Sequence, residues 1–419
     1  MKQYLITKKS GVPWAEIIPE SWDVIRGKNI LTLLSRPIKE DDEIITCFRD
    51  GQVTLRKNRR EEGFTVALQE NGYQGIEPGD LVVHGMDGFA GSIGVSDSRG
   101  KATPVLNVMD SSQNKKYLMY YLRALAYKDV FMSLSTGIRV RSCDLRWNKL
   151  AVLPFLVPPI NEQNQIVAYL DDVMAQIDEI VKAAQTTIEE YKQWKASIVY
   201  EAITKGLNAN TEMKDSGIEW IGTMPKEWPV RALFQLVTQV KNKNKDLTEK
   251  NLLSLSYGKI KRKNIETTDG LLPASFDGYN IIEANDIVLR LTDLQNDHTS
   301  LRVGRATERG IITSAYVTIR PMKGINSEYL YYALHAFDLK KGLYGMGSGV
   351  RQGLNYDGVK MVKIPFAPKK VQSQIVQYLN EKCEKIDAVM AEKQILIADL
   401  ELYRRSLVYE TVTGKRKVV

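Results

Sequence analysis

The sequence predicts an α+β protein in which two mixed α/β domains alternate with two long helices. Two observations lead to this prediction. Apolar residues recur at alternating steps of four and three across residues 160–207, which is typical of a coiled-coil helix. A second helix of the same kind returns 209 residues later, so that Gln165 is answered by Gln374. The second half of the chain therefore repeats the first, and an internal pseudo-two-fold axis is expected.

The first long helix is predicted from its spacing and from its two ends. Pro158 and Pro159 stop the strand-like run before it, and Gly206 tolerates the left-handed conformation that often follows a helix. A helix of this length cannot bury its own apolar stripe, so it needs a partner helix. The predicted seam consists of Ile166, Leu170, Val173, Ile177, Ile180, Ala184, Thr187, Tyr191, Trp194 and Ile198.

The second long helix supplies that partner. Tyr200 and Glu201 return in it as Tyr409 and Glu410. An antiparallel coiled coil of the two helices is favoured, and two core helices of one globular domain are the alternative. The second seam is predicted at Ile386, Val389, Leu396, Leu400, Tyr403 and Leu407, with Lys382 and Lys393 on two further seam positions.

A globular domain precedes each helix, and the two domains begin alike. Trp14 and Trp22 return as Trp220 and Trp228, with the same glycine and proline neighbours, at an offset of 206. Tryptophans beside strand-like apolar residues are favoured as core anchors over base-stacking platforms. The predicted divisions are two domains at residues 1–158 and 211–367, and two helical regions at residues 159–210 and 368–419.

Composition and charge narrow the class of protein. Lysine and arginine outnumber aspartate and glutamate by 58 to 50, for a net charge of +8, which favours a polyanionic partner. The three cysteines, Cys47, Cys143 and Cys383, have no metal-ligand or redox spacing and suit a reducing compartment. Neither an apolar signal core nor a membrane span is evident. We therefore expect a cytoplasmic protein.

The middles of the two domains, residues 41–75 and 241–280, share little beyond a texture of strands and turns, and both hold basic clusters. Such clusters suit phosphate backbones, and interleaved aromatic and amide side chains can read base edges. A solvated basic surface is the alternative. Two further arginines, in glycine turns, could clamp a phosphate or tie the turn to a carboxylate. The candidate DNA-binding residues are Arg49, Arg56, Lys57, Arg59, Arg60, Tyr73, His84, Arg139, Tyr257, Lys259, Lys261, Arg262, Lys263, Arg290, Gln295, Asn296 and Arg351.

Catalytic interpretations are weaker. The glycine-rich run at residues 89–94 is not followed by an acidic residue in a parallel-sheet pattern, as a cradle for an adenosyl cofactor would require. No P-loop, zinc spacing or Ser-His-Asp arrangement is evident, and three histidines leave little for acid–base chemistry. The sequence predicts a chain that is not an enzyme and that has no catalytic or metal-binding residues.

Several motifs together carry a family resemblance. They are the Gly-x-x-Trp openings, His84-Gly-Met-Asp87-Gly-Phe-Ala-Gly91-Ser-Ile-Gly94, Arg290-Leu-Thr-Asp293-Leu-Gln295-Asn-Asp297, the Gly-x-Arg turns, and the helix start at Asn161-Glu162-Gln163. Over its whole length the chain resembles the specificity subunit of a type I restriction-modification system.

The resemblance implies a division of labour. Each variable domain would be a target recognition domain that binds one half of a bipartite, asymmetric site in double-stranded DNA. The helices would separate these domains and dock methyltransferase subunits, expected to be two, and restriction subunits would join the complex. No cofactor is implied for this chain, whereas S-adenosylmethionine, ATP and magnesium are implied for the partner subunits. The alternative is a coiled-coil scaffold with incidental basic patches.

Overall fold

The structure is a computed structural model that describes residues 3–59, 71–133, 145–264, 273, 275–294, 297, 299–346 and 353–418. The chain forms two compact units. The first contains Met1–Ala184 and Gln394–Val419, and the second contains Gln185–Lys393. Each long helix thus contributes one half to each unit. The domain boundaries predicted at residues 158, 210 and 367 were instead placed at the ends of the long helices. These boundaries stay a prediction.

Within the described residues, the first unit is built from twelve short strands, three short helices and one half of each long helix. The helices are α1 (Lys115–Tyr127), α2 (Val130–Ser133), α3 (Trp147–Leu150), the first half of α4 (Ile160–Lys205) and the second half of α7 (Lys369–Val412). The strands are β1 (Thr7–Lys9), β2 (Ile17–Pro19), β3 (Asp23–Arg26), β4 (Thr32–Leu33), β5 (Ile45–Cys47), β6 (Val53–Leu55), β7 (Gln74–Ile76), β8 (Leu81–His84), β9 (Ile93–Val95), β10 (Gly100–Ala102), β11 (Leu106–Asp110) and β12 (Pro154–Val157).

A four-stranded antiparallel sheet, in the order β4-β11-β8-β9, forms the centre of the first unit. Asn114 caps α1 by accepting hydrogen bonds from the Lys116 and Tyr117 amides, and the helix lies on this sheet with its apolar face buried. The buried Tyr117 hydroxyl donates to the Leu156 carbonyl at 2.8 Å. Helix, sheet and β12 thus share one core.

The second unit repeats this plan. Its central sheet consists, in order, of β16 (Val237–Val240), β23 (Val317–Pro321), β20 (Ile287–Leu289) and β21 (Val303–Arg305). Helix α5 (Ser327–Leu339) lies against this sheet, and Asn326 caps α5 as Asn114 caps α1. The predicted α+β fold with an internal repeat is confirmed. The second unit consists of β13 (Met213–Asp215), β14 (Thr223–Pro225), β15 (Val230–Ala232), β16 (Val237–Val240), β17 (Leu253–Ser256), β18 (Lys259–Arg262), β19 (Asn280–Ile282), β20 (Ile287–Leu289), β21 (Val303–Arg305), β22 (Gly310–Ile312), β23 (Val317–Pro321), β24 (Lys363–Pro365), α5 (Ser327–Leu339), α6 (Tyr356–Val359), the second half of α4 and the first half of α7 (Lys369–Val412).

The two long helices pair within each unit. In the first unit, Ile166 and Leu170 of α4 share a core with Leu407 of α7, and Arg404 forms an ion pair with Asp178. Early residues of α4 therefore lie beside late residues of α7, so the pairing there is antiparallel.

The second unit pairs the other halves of the same helices. The Lys195 ammonium of α4 lies 2.5 Å from the Asp387 carboxylate of α7. Ile198, late in α4, shares a core with Ile375 and Leu379, early in α7. The pairing is antiparallel in this unit as well.

The seam differs in register from the prediction along the middle of α4. Ile180 and Trp194 are 47% and 51% exposed, whereas Ile188 is buried in place of Thr187. After Ile177 the stripe of buried and half-buried residues takes a second step of four residues, to the half-buried Val181, before it resumes alternation. Such an extra step is a stutter, which locally unwinds the supercoil.

In α7 the apolar seam positions predicted at Leu396 and Tyr403 are exposed instead, at 38% and 46%. Cys383 is buried there, and the adjacent Lys382, which was predicted on the seam, is exposed. The seam therefore runs one residue away from its predicted course at these points.

All four predicted tryptophan anchors pack on the cores. Trp22 and Trp228 are buried, and Trp14 and Trp220 are half-buried against the same clusters. Across the part of the chain that the structure describes, no helix combines the length and apolarity that a membrane span requires.

Candidate nucleic-acid interface

A β-hairpin occupies the divergent middle of each domain, at β5–β6 and at β17–β18. The Arg56 amide donates to the Ile44 carbonyl at 2.8 Å, and the Lys263 amide donates to the Leu252 carbonyl at the same distance. These bonds close the two hairpins at equivalent positions. The middles, which share little sequence, therefore share one supersecondary unit.

The hairpin tips differ in length and chemistry. In the first domain five residues, 48–52, connect the strands, and within this connection the Phe48 amide donates to the Gln52 carbonyl. In the second domain the connection is only Tyr257 and Gly258, with φ values of 46° and 75°. Two central residues with positive φ are the mark of a type I′ turn.

Both tips present a large side chain to solvent. Tyr257 is 78% exposed, and the Arg49 side chain is 68% exposed. Two residues that the sequence predicted as DNA contacts thus stand at equivalent places in the two domains.

The loop after β8 faces the first hairpin. The Arg49 guanidinium lies 3.1 Å from the Asp87 carboxylate and so bridges hairpin and loop. Between them is an open cleft of about 720 Å³ with both cationic and anionic walls. The basic and acidic side chains that line it are Arg49, Asp50, Arg56, Arg59, His84 and Asp87. Four of the predicted residues meet in this one cleft, and sequence analysis missed the two aspartates.

His84 is held in one tautomer. Its Nδ1 accepts hydrogen bonds from the Met86 amide at 3.2 Å and from the Asp87 amide at 3.0 Å. A nitrogen that accepts cannot carry a proton, so in the neutral ring Nε2 carries the hydrogen. Burial lowers the pKa of His84, with Asp87 acting in the opposite direction. The ring is therefore neutral at pH 7 and offers a hydrogen-bond donor.

Most basic residues around the first hairpin are paired with acids. Lys57 lies 2.5 Å from Glu43, and Arg59 lies 2.6 Å from Asp50 while it stacks over the Phe48 ring. Exposed ion pairs contribute only about 0–1 kcal/mol. Such cations can exchange a carboxylate for a phosphate at small cost, and until then the pairing fixes their positions.

The second hairpin carries a line of basic residues on β18 and just after it. Glu308 raises the pKa of Arg262 by a direct hydrogen bond, and Lys259 lies 3.5 Å from Asp387. Lys261 and Lys263 are exposed and have no acidic partner within the described ranges. These two lysines present charge to solvent without an internal counterion.

In the second domain, the loop after β20 lies beside the hairpin tip. Gly258 at the tip lies against Leu301, since a Cβ added there would come within 3.1 Å of that side chain. Arg290 begins the loop, and its guanidinium lies 3.6 Å from Asp297. Hairpin and loop are therefore neighbours in the second domain, as they are in the first.

One described candidate, Tyr73, precedes β7 and does not line the first cleft. Five fall outside the described residues: Arg60, Arg139, Gln295, Asn296 and Arg351. All seventeen assignments as DNA contacts stay predictions. Among the described residues, no group of three or more His, Cys, Asp or Glu side chains could hold a metal ion.

A protein of Methanocaldococcus jannaschii, named "Putative type I restriction enzyme MjaX specificity subunit", is 22% identical over 424 residues, which cover 96% of this chain and 95% of that protein. The chain is similar to a type I specificity subunit throughout. That resemblance, predicted from the motifs, is confirmed.

Solved structures agree in fold. A chain from a study of complex assembly and conformational transition in a type I R-M system superposes with a TM-score of 0.67 at 12% identity, over 94% of this chain and 98% of that one. The HsdS subunit of Thermoanaerobacter tengcongensis gives 0.51 at 13% identity, over 95% and 98%. No protein-family model matches.

Proposed function

We propose that this chain is the DNA-reading subunit of a type I restriction-modification complex, in which each domain reads one half of a bipartite, asymmetric site in double-stranded DNA. One observation carries the proposal. Each domain places a hairpin tip beside the loop that follows a central strand, and the tips differ in length and side chains while the frames repeat. Two readers of different chemistry on one frame suit a site whose halves differ.

The geometry suits groove recognition. A two-stranded ribbon fits the major groove of B-DNA, where each base pair presents its own set of donors and acceptors. At the first tip, Arg49 can donate to guanine O6 and N7, and the fixed Nε2–H of His84 donates to an acceptor edge. At the second tip, Tyr257 supplies a flat ring and a hydroxyl. The neighbouring lysines and arginines would hold the phosphates on either side.

The remaining steps belong to partners in this proposal. Two methyltransferase subunits would bind the helical regions and use S-adenosylmethionine, and restriction subunits would use ATP and magnesium. The chain itself is not an enzyme and supplies no cofactor site. It would act in the cytoplasm, where the host DNA lies.

The test is a methylation map of two single variants. The full chain, assembled with its methyltransferase subunits, would modify a plasmid library, and sequencing would give the base preference at each position. Arg49→Ala should relax one half-site, and Tyr257→Asn should relax the other. Asparagine before glycine is favoured in a type I′ turn, so the second hairpin should remain folded.

Arg309→Met is the matched control. Arg309 is half-exposed and pairs with Glu249, which precedes the second hairpin, and with Glu283, rather than with a residue of the hairpin tip, so its loss should leave the map unchanged. If Arg49→Ala and Tyr257→Asn relaxed the same half-site, or neither, the assignment of one domain to each half would be wrong. Methylation by the wild-type complex without any sequence preference would overturn the proposed function itself.

A further inference from the structure

Arg302 is a fully buried arginine in the second domain, just before β21, with 0% exposure. A guanidinium has five N–H donors. Its Nη1 donates to the Arg290 carbonyl at 3.2 Å and to the Thr292 carbonyl at 2.8 Å, and Nη2 donates to the Asp293 carbonyl at 3.1 Å and to the Asp297 carbonyl. Nε donates to the Tyr344 hydroxyl at 3.1 Å. All five donors are used, four of them on one loop.

The charge of Arg302 is balanced where it lies. The Asp297 carboxylate lies 4.0 Å from Nη2, and hydrogen bonds from Ser300 lower the pKa of Asp297. The Arg302 amide donates to the Asp338 carboxylate of α5 at 2.6 Å. Removing the partners of a buried cation strongly destabilises the folded protein. The loop and Arg302 therefore hold each other in place.

The loop needs such support. Asp293 has φ of 58°, a left-handed conformation that L side chains rarely adopt and that costs free energy unless the surroundings hold it. Arg302 donates to the carbonyl of this residue, to that of Thr292 directly before it, and to that of Asp297 four residues later. The guanidinium thus fixes the backbone from Arg290 through Asp293, and again at Asp297.

The first domain supports its equivalent loop differently. The Arg290 amide donates to the Arg302 carbonyl, and at the same place the His84 amide donates to the Ser92 carbonyl, so Ser92 stands where Arg302 does. There the His84 ring accepts the loop amides, and Gly91 supplies the positive φ. An arginine centre is therefore particular to the second domain.

We propose that Arg302 is a positioning residue for DNA reading by the second domain: it fixes the loop that begins at Arg290 next to the hairpin tip, without touching the DNA itself. The inference rests on the proposed function. It follows that Arg302 controls how strictly the second half-site is read, and that neither the first half-site nor phosphate binding depends on it.

Two single variants test the proposal in the full chain assembled with methyltransferase subunits. One replaces Arg302, and the other replaces Tyr344, one of its hydrogen-bond acceptors. Arg302→Lys keeps the charge but has three donors from a single nitrogen, which cannot span the arc of carbonyls. Base preference, read from methylation of the plasmid library, should fall about ten-fold or more at the half-site that Tyr257→Asn also relaxes, since a good base contact is worth roughly 5- to 150-fold. The other half-site and the salt dependence of binding should stay unchanged.

Tyr344→Phe is the milder variant. It removes the acceptor of Nε and the long hydrogen bond, at 3.5 Å, that the hydroxyl donates to the Ser300 carbonyl, and a smaller fall at the same half-site is expected. Arg309→Met is again the control. Equal loss at both half-sites, or full preference in Arg302→Lys, would overturn the proposal. Should Arg302→Lys fail to fold, Tyr344→Phe decides: a fall confined to that half-site supports the positioning role, and an unchanged preference overturns it.

Discussion

Two buried ionisable groups on α5 predict an unusual pH response of the second unit. Burial lowers the pKa of His335 to about 4, and nearby Lys195 acts in the same direction. Burial raises the pKa of Asp338 to about 6, against the attraction of Lys341 and Arg302. Both side chains are buried, at 8% and 2% exposure. Folding therefore disfavours the charged form of each group.

The two effects have opposite signs. Between about pH 4 and 6.5 the unfolded chain protonates His335 and the folded chain does not, so this histidine removes stability as the pH falls. Between about pH 4 and 6 the folded chain keeps a proton on Asp338 that the unfolded chain has lost, so this aspartate removes stability as the pH rises. A difference of about two in pKa corresponds to about 3 kcal/mol, and the two contributions nearly cancel in the wild-type protein.

Single variants should expose each slope. From pH 4 to pH 6, Asp338→Asn should gain about 3 kcal/mol in free energy of unfolding relative to wild type, and His335→Gln should lose a similar amount. Hydrogen exchange of the α5 amides measures this within the second unit. Comparison with wild type at each pH removes the contribution of other carboxyl groups, such as Asp42, whose pKa a hydrogen bond from Arg99 lowers to about 2. Curves that run parallel to wild type would refute the reasoning.

Two further predictions concern the helices and the basic surface. Ile177→Ala should lower the free energy of unfolding by about 2–4 kcal/mol, because Ile177 is 3% exposed. Ile180→Ala should change it by no more than about 0.5 kcal/mol. Urea unfolding measures both, and equal losses would mean that Ile180 lies on the seam as the sequence predicted. Lys261→Ala and Lys263→Ala should each lower the magnitude of the slope of the logarithm of the DNA-binding constant against the logarithm of the salt concentration by about 1. Arg262→Ala should change this slope less, because Glu308 already neutralises that arginine. Fluorescence anisotropy across a salt series measures the slopes, and a larger effect of Arg262→Ala would show that the ion pair opens on DNA.

The features that span many residues were open to prediction from sequence. The repeat, the two long helices and the tryptophan anchors rest on spacings that recur, and recurrence distinguishes them from chance. The predicted seam was wrong locally because the spacing of apolar residues permits either Ile180 or Val181 after Ile177. Packing in the folded protein selects Val181, and the sequence pattern alone does not contain that information.

The candidate site was harder to predict from the sequence. The two hairpins share backbone hydrogen bonds rather than side chains, as at Arg56 and Lys263, so comparison of residue types could not align them. Arg302 was missed for a related reason. In the sequence it is one more basic residue, and only the fold shows that four of its five guanidinium hydrogen bonds go to carbonyl oxygens of a single loop.

The repeated frame and the variable tips meet different physical demands. Before β8 and β20 the chain makes the same turn: Gly79 and Asn285 adopt positive φ, and the aspartate that follows each, Asp80 or Asp286, accepts a backbone amide at 2.8 Å. Both aspartates are buried and paired with an arginine, so a substitution there would disturb the central sheet. The tips are exposed, and exposed substitutions usually change stability by less than about 0.5 kcal/mol. The chemistry of a tip and its loop can therefore change while the fold that presents them stays the same.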